Sequence, residues 1–309
     1  MMKNRLITRG LLAALCVAVI AATVTFAQTT NQVATEAGAI AVGQGPEGVT
    51  SDGANVFVAN QFSNSVTKLR ASDGAVTGTF AAGHRPVALA FDGAYVWVAN
   101  YLSNNVMKLD PATGAVAGTF AVGEGPGGLL SANGNVWVAN RNSNTVTKLR
   151  ASDGITLGTY EVGTRPLCLA TDGTYVYVTN NNSDTVTKLL QSNGVVVGTY
   201  RVGDGPFGIA FDGANVWVSN FGDGNVMKLG TDGTLVGTYT VGDGPVSIIY
   251  KEGVILVANN GGNSVTALRA SNGRTLGTYA VGRSPFGVAI VGSTIWVTNF
   301  GSNTVTKQQ

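Results

Sequence analysis

Short apolar runs rich in valine and aromatic residues alternate with polar turns along almost the whole chain, and the alternation has a long beat. Val96-Trp97-Val98-Ala99-Asn100, followed by Ser103-Asn104-Asn105-Val106-Met107-Lys108-Leu109, recurs almost unchanged. The Asn that ends its first half falls at Asn60, Asn100, Asn140, Asn180, Asn220, Asn259 and Asn299, in steps of 40 residues with a single step of 39. A Gly-x-x-Pro turn keeps the same register at Pro46, Pro86, Pro126, Pro166, Pro206, Pro245 and Pro285, and only Pro111 lies outside it. A fixed period of this length marks a repeat architecture, here with seven repeats.

One repeat, residues 83–122, shows what each unit contains. Pro86-Val87-Ala88-Leu89-Ala90-Phe91 reads as a short strand, and Asp92-Gly93 as a hairpin turn needing positive φ. Tyr95 to Ala99 is β-branched and aromatic, and a polar loop from Tyr101 to Asn104 leads into Val106-Met107-Lys108-Leu109. A turn from Pro111 to Gly114 then precedes Val116-Ala117-Gly118-Thr119-Phe120. No segment holds a helical period. Four antiparallel strands per repeat predict an all-β chain, a seven-bladed β-propeller.

The seventh repeat supplies three strands before Gln309, and the segment 36–43 aligns with the outer-strand segment 76–83. The N-terminal strand is therefore expected to complete the last blade and close the ring over residues 35–309, leaving only short protected edges.

Residues 1–27 follow a different logic. Lys3, Arg5 and Arg9 precede an apolar run from Leu11 to Val24, and Thr25-Phe26-Ala27 forms a small-residue site before Gln28. This is the pattern of a secretory signal peptide, too short for a stable span, with residues 28–34 as a linker. Cys16 raises the thought of a lipoprotein, but Leu15 before it suits that processing poorly, so Cys16 is read as part of the discarded leader. Export to the periplasm, cell surface or medium is expected.

Removing the leader changes the charge. The chain has 19 Lys+Arg and 17 Asp+Glu; three basic residues leave with the leader, and the mature net charge becomes −1. The pI near 8.5 thus belongs to the targeting signal and is no argument for nucleic acid or an anionic membrane as partner. Cys168 alone survives, so no intramolecular disulfide is expected. A monomer standing on its own packing is the expectation.

Tyr177-Val178-Thr179-Asn180 is the tetrapeptide that names the YVTN family of β-propellers, and VWVAN, VFVAN, VWVSN or IWVTN replaces it in other repeats. With the trailing Ser-Asn-Thr-Val-Thr and the Asp-Gly turns, the mature domain resembles that family, whose wider group includes surface-layer propellers, streptogramin lyases and lactonase-like enzymes. WD40 repeats are disfavoured, since the Gly-His and Trp-Asp marks are missing. The lyase resemblance implies histidines, Mg²⁺ and an acidic partner, yet His84 is the one histidine. The lactonase resemblance implies a divalent cation near the channel, for which Glu47, Glu124, Asp204 and Asp243 are the candidates for Ca²⁺ or Mg²⁺. Arg85, Arg165 and Arg283 interleave with them, so we read a mixed-sign solvated rim and expect no cofactor. No Ser-His-Asp set and no Gly-x-Ser-x-Gly elbow appears.

Residues common to the repeats read as structural. The seven Asn residues are expected to bond locally within each blade. Lys68, Lys108, Lys148, Lys188, Lys228 and Lys307, with Ala267 in the sixth slot, are expected to lay their stems along blade grooves with their heads in water. Trp97, Trp137, Trp217 and Trp296 share one strand position and are expected in the core.

The residues that vary carry the functional expectation. After each Asn stand Gln61, Tyr101, Arg141, Asn181, Phe221, Asn260 and Phe300, and the turns before the inner strands hold His84, Arg85, Arg165 and Arg283 beside the acids already named. In a propeller these loops surround the channel mouth on one face. Tyr, Phe and Arg are common binding anchors, so Tyr101, Arg141, Phe221 and Phe300, with His84 and the three arginines, point to capture of a protein segment or an extracellular glycan. Neutral drift of loop tips would leave the same variability.

Overall fold

The structure, a computed structural model, describes residues 38–308. The expected leader and linker lie outside the described residues. Twenty-eight strands, β1 to β28, form seven four-stranded antiparallel sheets among those residues. The first full blade is β2 (Pro46–Ser51), β3 (Asn55–Asn60), β4 (Ser65–Arg70) and β5 (Val76–Ala81), running from the channel outwards. The repeat read above becomes strands at Pro86–Phe91, Val96–Asn100, Asn105–Leu109 and Val116–Ala121, within a residue or so of expectation. Blades 1 to 7 begin at Pro46, Pro86, Pro126, Pro166, Pro206, Pro245 and Pro285.

The last blade is closed by the chain's other end. Its own strands are β26 (Pro285–Val291), β27 (Thr294–Asn299) and β28 (Thr304–Gln308), and β1 (Ala39–Ala41) pairs with β28 through Ala39↔Thr306, Ile40↔Val305 and Ala41↔Thr304. Ile40 packs on the cluster of Val56, Val58, Leu69, Trp296 and Val305. At the inner end of the seam, Thr298 Oγ1 donates to the Glu47 carbonyl at 2.7 Å, a bond spanning 251 positions of sequence.

The core lies between blades rather than at the channel. Each cluster joins the valines and aromatic residue of one blade to those of its neighbour, as Phe57, Ala59 and Val66 meet Leu89, Val96 and Val98. All four tryptophans are fully buried there. At about 1.5–3 kcal/mol per large buried side chain, this packing is the main force holding the ring.

The recurring Asn residues are structural, as expected. All seven are fully buried. Asn60 Nδ2 donates to Thr67 Oγ1 at 2.8 Å, and Asn180 and Asn299 repeat the bond to Thr187 and Thr306. The lysines correct the sequence reading. Lys108, Lys148, Lys188 and Lys228 are buried, and their heads are out of water. Lys108 Nζ donates to the carbonyl of Ala151 in the next blade at 2.7 Å, and Lys148 does the same to Gln191 at 2.8 Å. Each ammonium also lies over an aromatic ring, with Lys188 Nζ 3.9 Å from the Tyr175 centroid. The carbonyls and the ring face replace water, so the cation is tolerated inside.

Candidate functional site

Two sets of backbone bonds assemble the channel mouth. Within a blade, the residue after each Asn donates to the turn before the inner strand, as Tyr101 N does to the Arg85 carbonyl at 2.9 Å. Between blades, a loop Asn or Asp in left-handed conformation accepts from the next blade's turn. Asn64 Oδ1 takes Arg85 N at 2.9 Å, and Asn303 Oδ1 takes Gly45 N at 2.9 Å. Both loop sets therefore share one face, as the sequence predicts.

Each inner strand departs from regular pairing just after its proline, as between Pro46 and Val49. Such a bulge re-aims the side chains it carries. Glu47 sits in this position. The equivalent residues are Val87, Gly127, Leu167, Phe207, Val246 and Phe286, so one carboxyl stands in an otherwise apolar ring. Contrary to the expected solvated rim, Glu47 is only 3% exposed. Gln61 Nε2 donates to its Oε2 at 2.8 Å, and Arg141 Nη2 lies 3.6 Å from its Oε1. Burial pushes the Glu47 carboxyl up to about 7, against the opposing pull of Arg141 and, more weakly, Arg85.

Arg141 reaches Glu47 because of a glycine. A Cβ on Gly127 would collide with Arg141 Nε, so the bare backbone of that strand is the bed in which the guanidinium lies. Outward from Arg141 runs a stack of aromatic rings and guanidiniums. Arg141 lies 5.6 Å from the Tyr101 centroid, and Arg85 lies 5.5 Å from the same ring and 5.8 Å from that of Phe62. Phe62 meets Phe300 edge to face at 5.5 Å. Of the predicted binding residues, Tyr101, Arg141, Phe300 and Arg85 are thus brought into one relay. Phe221 is 47% exposed and packs on the Gly244 turn in another sector. His84, Arg165 and Arg283 stand exposed on their turns, outside the relay.

The four acids do not converge. Glu124, Asp204 and Asp243 are exposed in turns of three different blades, whereas Glu47 is committed to Gln61 and Arg141. Among the described residues, no three His, Cys, Asp or Glu side chains gather where a metal ion would sit.

Below the mouth the inner strands line a cavity of about 250 Å³, with Glu47 and Arg141 in its wall. Its lining is otherwise largely apolar and includes Phe207 and Phe286, whose rings meet edge to face at 5.3 Å. Cys168 also lines it; burial raises its thiol to about 11, Arg141 opposing and Glu47 adding to the rise.

Sequence reasoning missed Gln61 as a partner of Glu47, Phe62 as a relay ring, and Phe207 and Phe286 as lining. A signal for the first was present. Glu47 follows its proline where the other repeats have Val, Gly, Leu or Phe, which separates it from the acids that lie two residues before theirs.

The fold defines the class of protein as a closed seven-bladed propeller with a ligand-sized cavity at one mouth. No family model matches the chain, and no curated protein sequence does. Solved structures do. A streptogramin B lyase superposes with a TM-score of 0.76 at 19% identity, covering 87% of this chain and 95% of that one. A catalytically inactive virginiamycin B lyase from Staphylococcus aureus with quinupristin gives 0.76 at 19%, covering 87% and 97%. Hydrazine synthase from Kuenenia stuttgartiensis gives 0.76 at 20%, covering 92% and 99%. At these identities the likeness is one of fold.

Proposed function

We propose that this chain is an exported propeller of the YVTN type that works as a binding module, taking a protein segment or an extracellular glycan on its mouth face. The observation that carries the reading is the relay Phe300–Phe62–Arg85–Tyr101–Arg141. Large planar side chains pre-stacked at a rim lose little conformational entropy on binding and offer both apolar area and donors. The frame does not require them, since other blades place Asn181 and Asn260 in the same slot. The leader-like residues 1–27 support export.

The test uses the mature protein on a glycan array and against a displayed peptide library, beside a Tyr101→Ala/Phe221→Ala/Phe300→Ala variant. Truncating an anchor costs about 2 kcal/mol or more, some thirtyfold in affinity, so the variant is expected to lose the ligands that the wild type keeps while melting within a few degrees of it. Identical ligand sets for the two proteins, or none for either, would defeat the proposal.

A further inference from the structure

The cavity wall under the mouth holds one guanidinium, that of Arg141, which the protein itself grips only loosely. Arg141 Nη2 has only long contacts, 3.6 Å to Glu47 Oε1 and 3.4 Å to the Gly127 carbonyl. Arg141 Nε is shielded from solvent yet reaches no acceptor among the described residues, and Arg85 Nε is in the same condition. Buried donors are almost always paired, because an unpaired one forfeits its hydration for nothing. A planar guanidinium with spare N–H groups in a low-dielectric wall matches an oxyanion, which it grips through two donors at once.

Charge balance and shape agree with this. Two guanidiniums, those of Arg141 and Arg85, act on the single carboxyl of Glu47. An amine would have to displace Gln61 from Glu47 Oε2 and then sit against Arg141. Blades 5 and 7 contribute Phe207 and Phe286 to the lining, a pair of rings suited to a flat apolar body. The volume of about 250 Å³ suits a compact molecule.

We propose that the channel cavity binds a small monocarboxylate with a compact aromatic or apolar body. Its carboxylate accepts from Arg141, and its body lies against Phe207 and Phe286. This inference goes beyond the rim reading and does not depend on it, since the rim takes macromolecules and the cavity takes a small molecule.

Three probes that share a benzyl body decide it by calorimetric titration of the mature protein: phenylacetate, phenylacetamide and phenethylamine. Phenylacetate is expected to bind at least about tenfold more tightly than either the neutral amide or the cationic amine, the worth of one charge-assisted bidentate contact. Arg141→Gln is expected to remove that preference. Ser247→Phe, which fills the cavity from another part of its wall without touching the Glu47–Arg141 pair, is expected to abolish binding of all three probes with the fold intact by circular dichroism. Leu235→Ala, on the exposed outer strand of blade 5, is expected to leave phenylacetate binding unchanged. Equal affinity for acid and amide, preference for the amine, no saturation by any probe, or phenylacetate binding that survives Ser247→Phe would each overturn the proposal.

Discussion

Glu47 shows how one residue departs from a repeat. Its folded carboxyl titrates near 7 against an ordinary 4.5, because burial penalises the charged form more than Arg141 compensates. A raised carboxyl contributes stability below the unfolded value, and that contribution is lost as pH rises through the folded one. We therefore predict that the wild-type melting temperature falls between about pH 5 and pH 8. Glu47→Gln, which mimics the protonated form, should flatten this slope and raise stability at pH 8 by up to ~3 kcal/mol; thermal melts across that range check it. A second residue, Asp92, ties a hairpin to the core. Its Oδ1 accepts from Ala94 N and Tyr95 N, and its Oδ2 accepts from Trp97 Nε1 at 2.7 Å. Asp92→Ala would leave the buried indole N–H unpaired, for an expected loss of about 1–3 kcal/mol by denaturant titration. Blade 3 already carries this defect: Ala132 occupies the equivalent position, and Trp137 Nε1 has no partner. The Asp-Gly turn was legible in the sequence. The indole bond was not, because it depends on a side chain five residues away in a pairing that only the folded hairpin creates.

At the scale of elements, the ring is latched blade to blade, with a gap at one seam. Asn or Asp at 64, 104, 144, 184, 263 and 303 accepts from the next turn, but blade 5 has Gly224 in that slot. The neighbouring Val241 N to Gly224 carbonyl bond is stretched to 3.5 Å. Gly224 has φ near 62°, close to the 48–59° of the asparagines at the equivalent positions, and a Cβ there meets open space. Gly224→Asn should therefore supply the bond to Gly244 N and restrict the unfolded chain, stabilising by about 0.5–1.5 kcal/mol; a melt that falls instead would contradict it. The strands themselves were plain from the period, since alternation and Gly turns are local signals. The buried lysine heads were hidden because their carbonyl partners stand 42 to 44 residues further along, in the following blade. Strand position shows which way a lysine leaves its own sheet and nothing of what the next sheet offers it.

At the scale of the molecule, closure by β1 was readable from the repeat count, because the seventh repeat has three strands at one end and the segment at the other aligns with the outer strand it lacks. The mouth was only partly readable. Variable loop residues marked the face, but the arrangement of Tyr101 between two arginines comes from ring geometry that brings two neighbouring blades together. The structural neighbours share this ring, and two of them are lyases by name. The proposed binding module and the lactonase-like expectation from the sequence differ in whether the mouth acts through its own side chains or through an ion held among them. Metal analysis of the purified protein, residues 28–309, paired with thermal melts with and without EDTA, addresses that point most directly. We predict no stoichiometric divalent ion and a melt that EDTA leaves unchanged. One Ca²⁺ or Mg²⁺ per chain, with a melt lowered by chelation, would contradict the binding-module reading and move attention to Glu47, Glu124, Asp204 and Asp243.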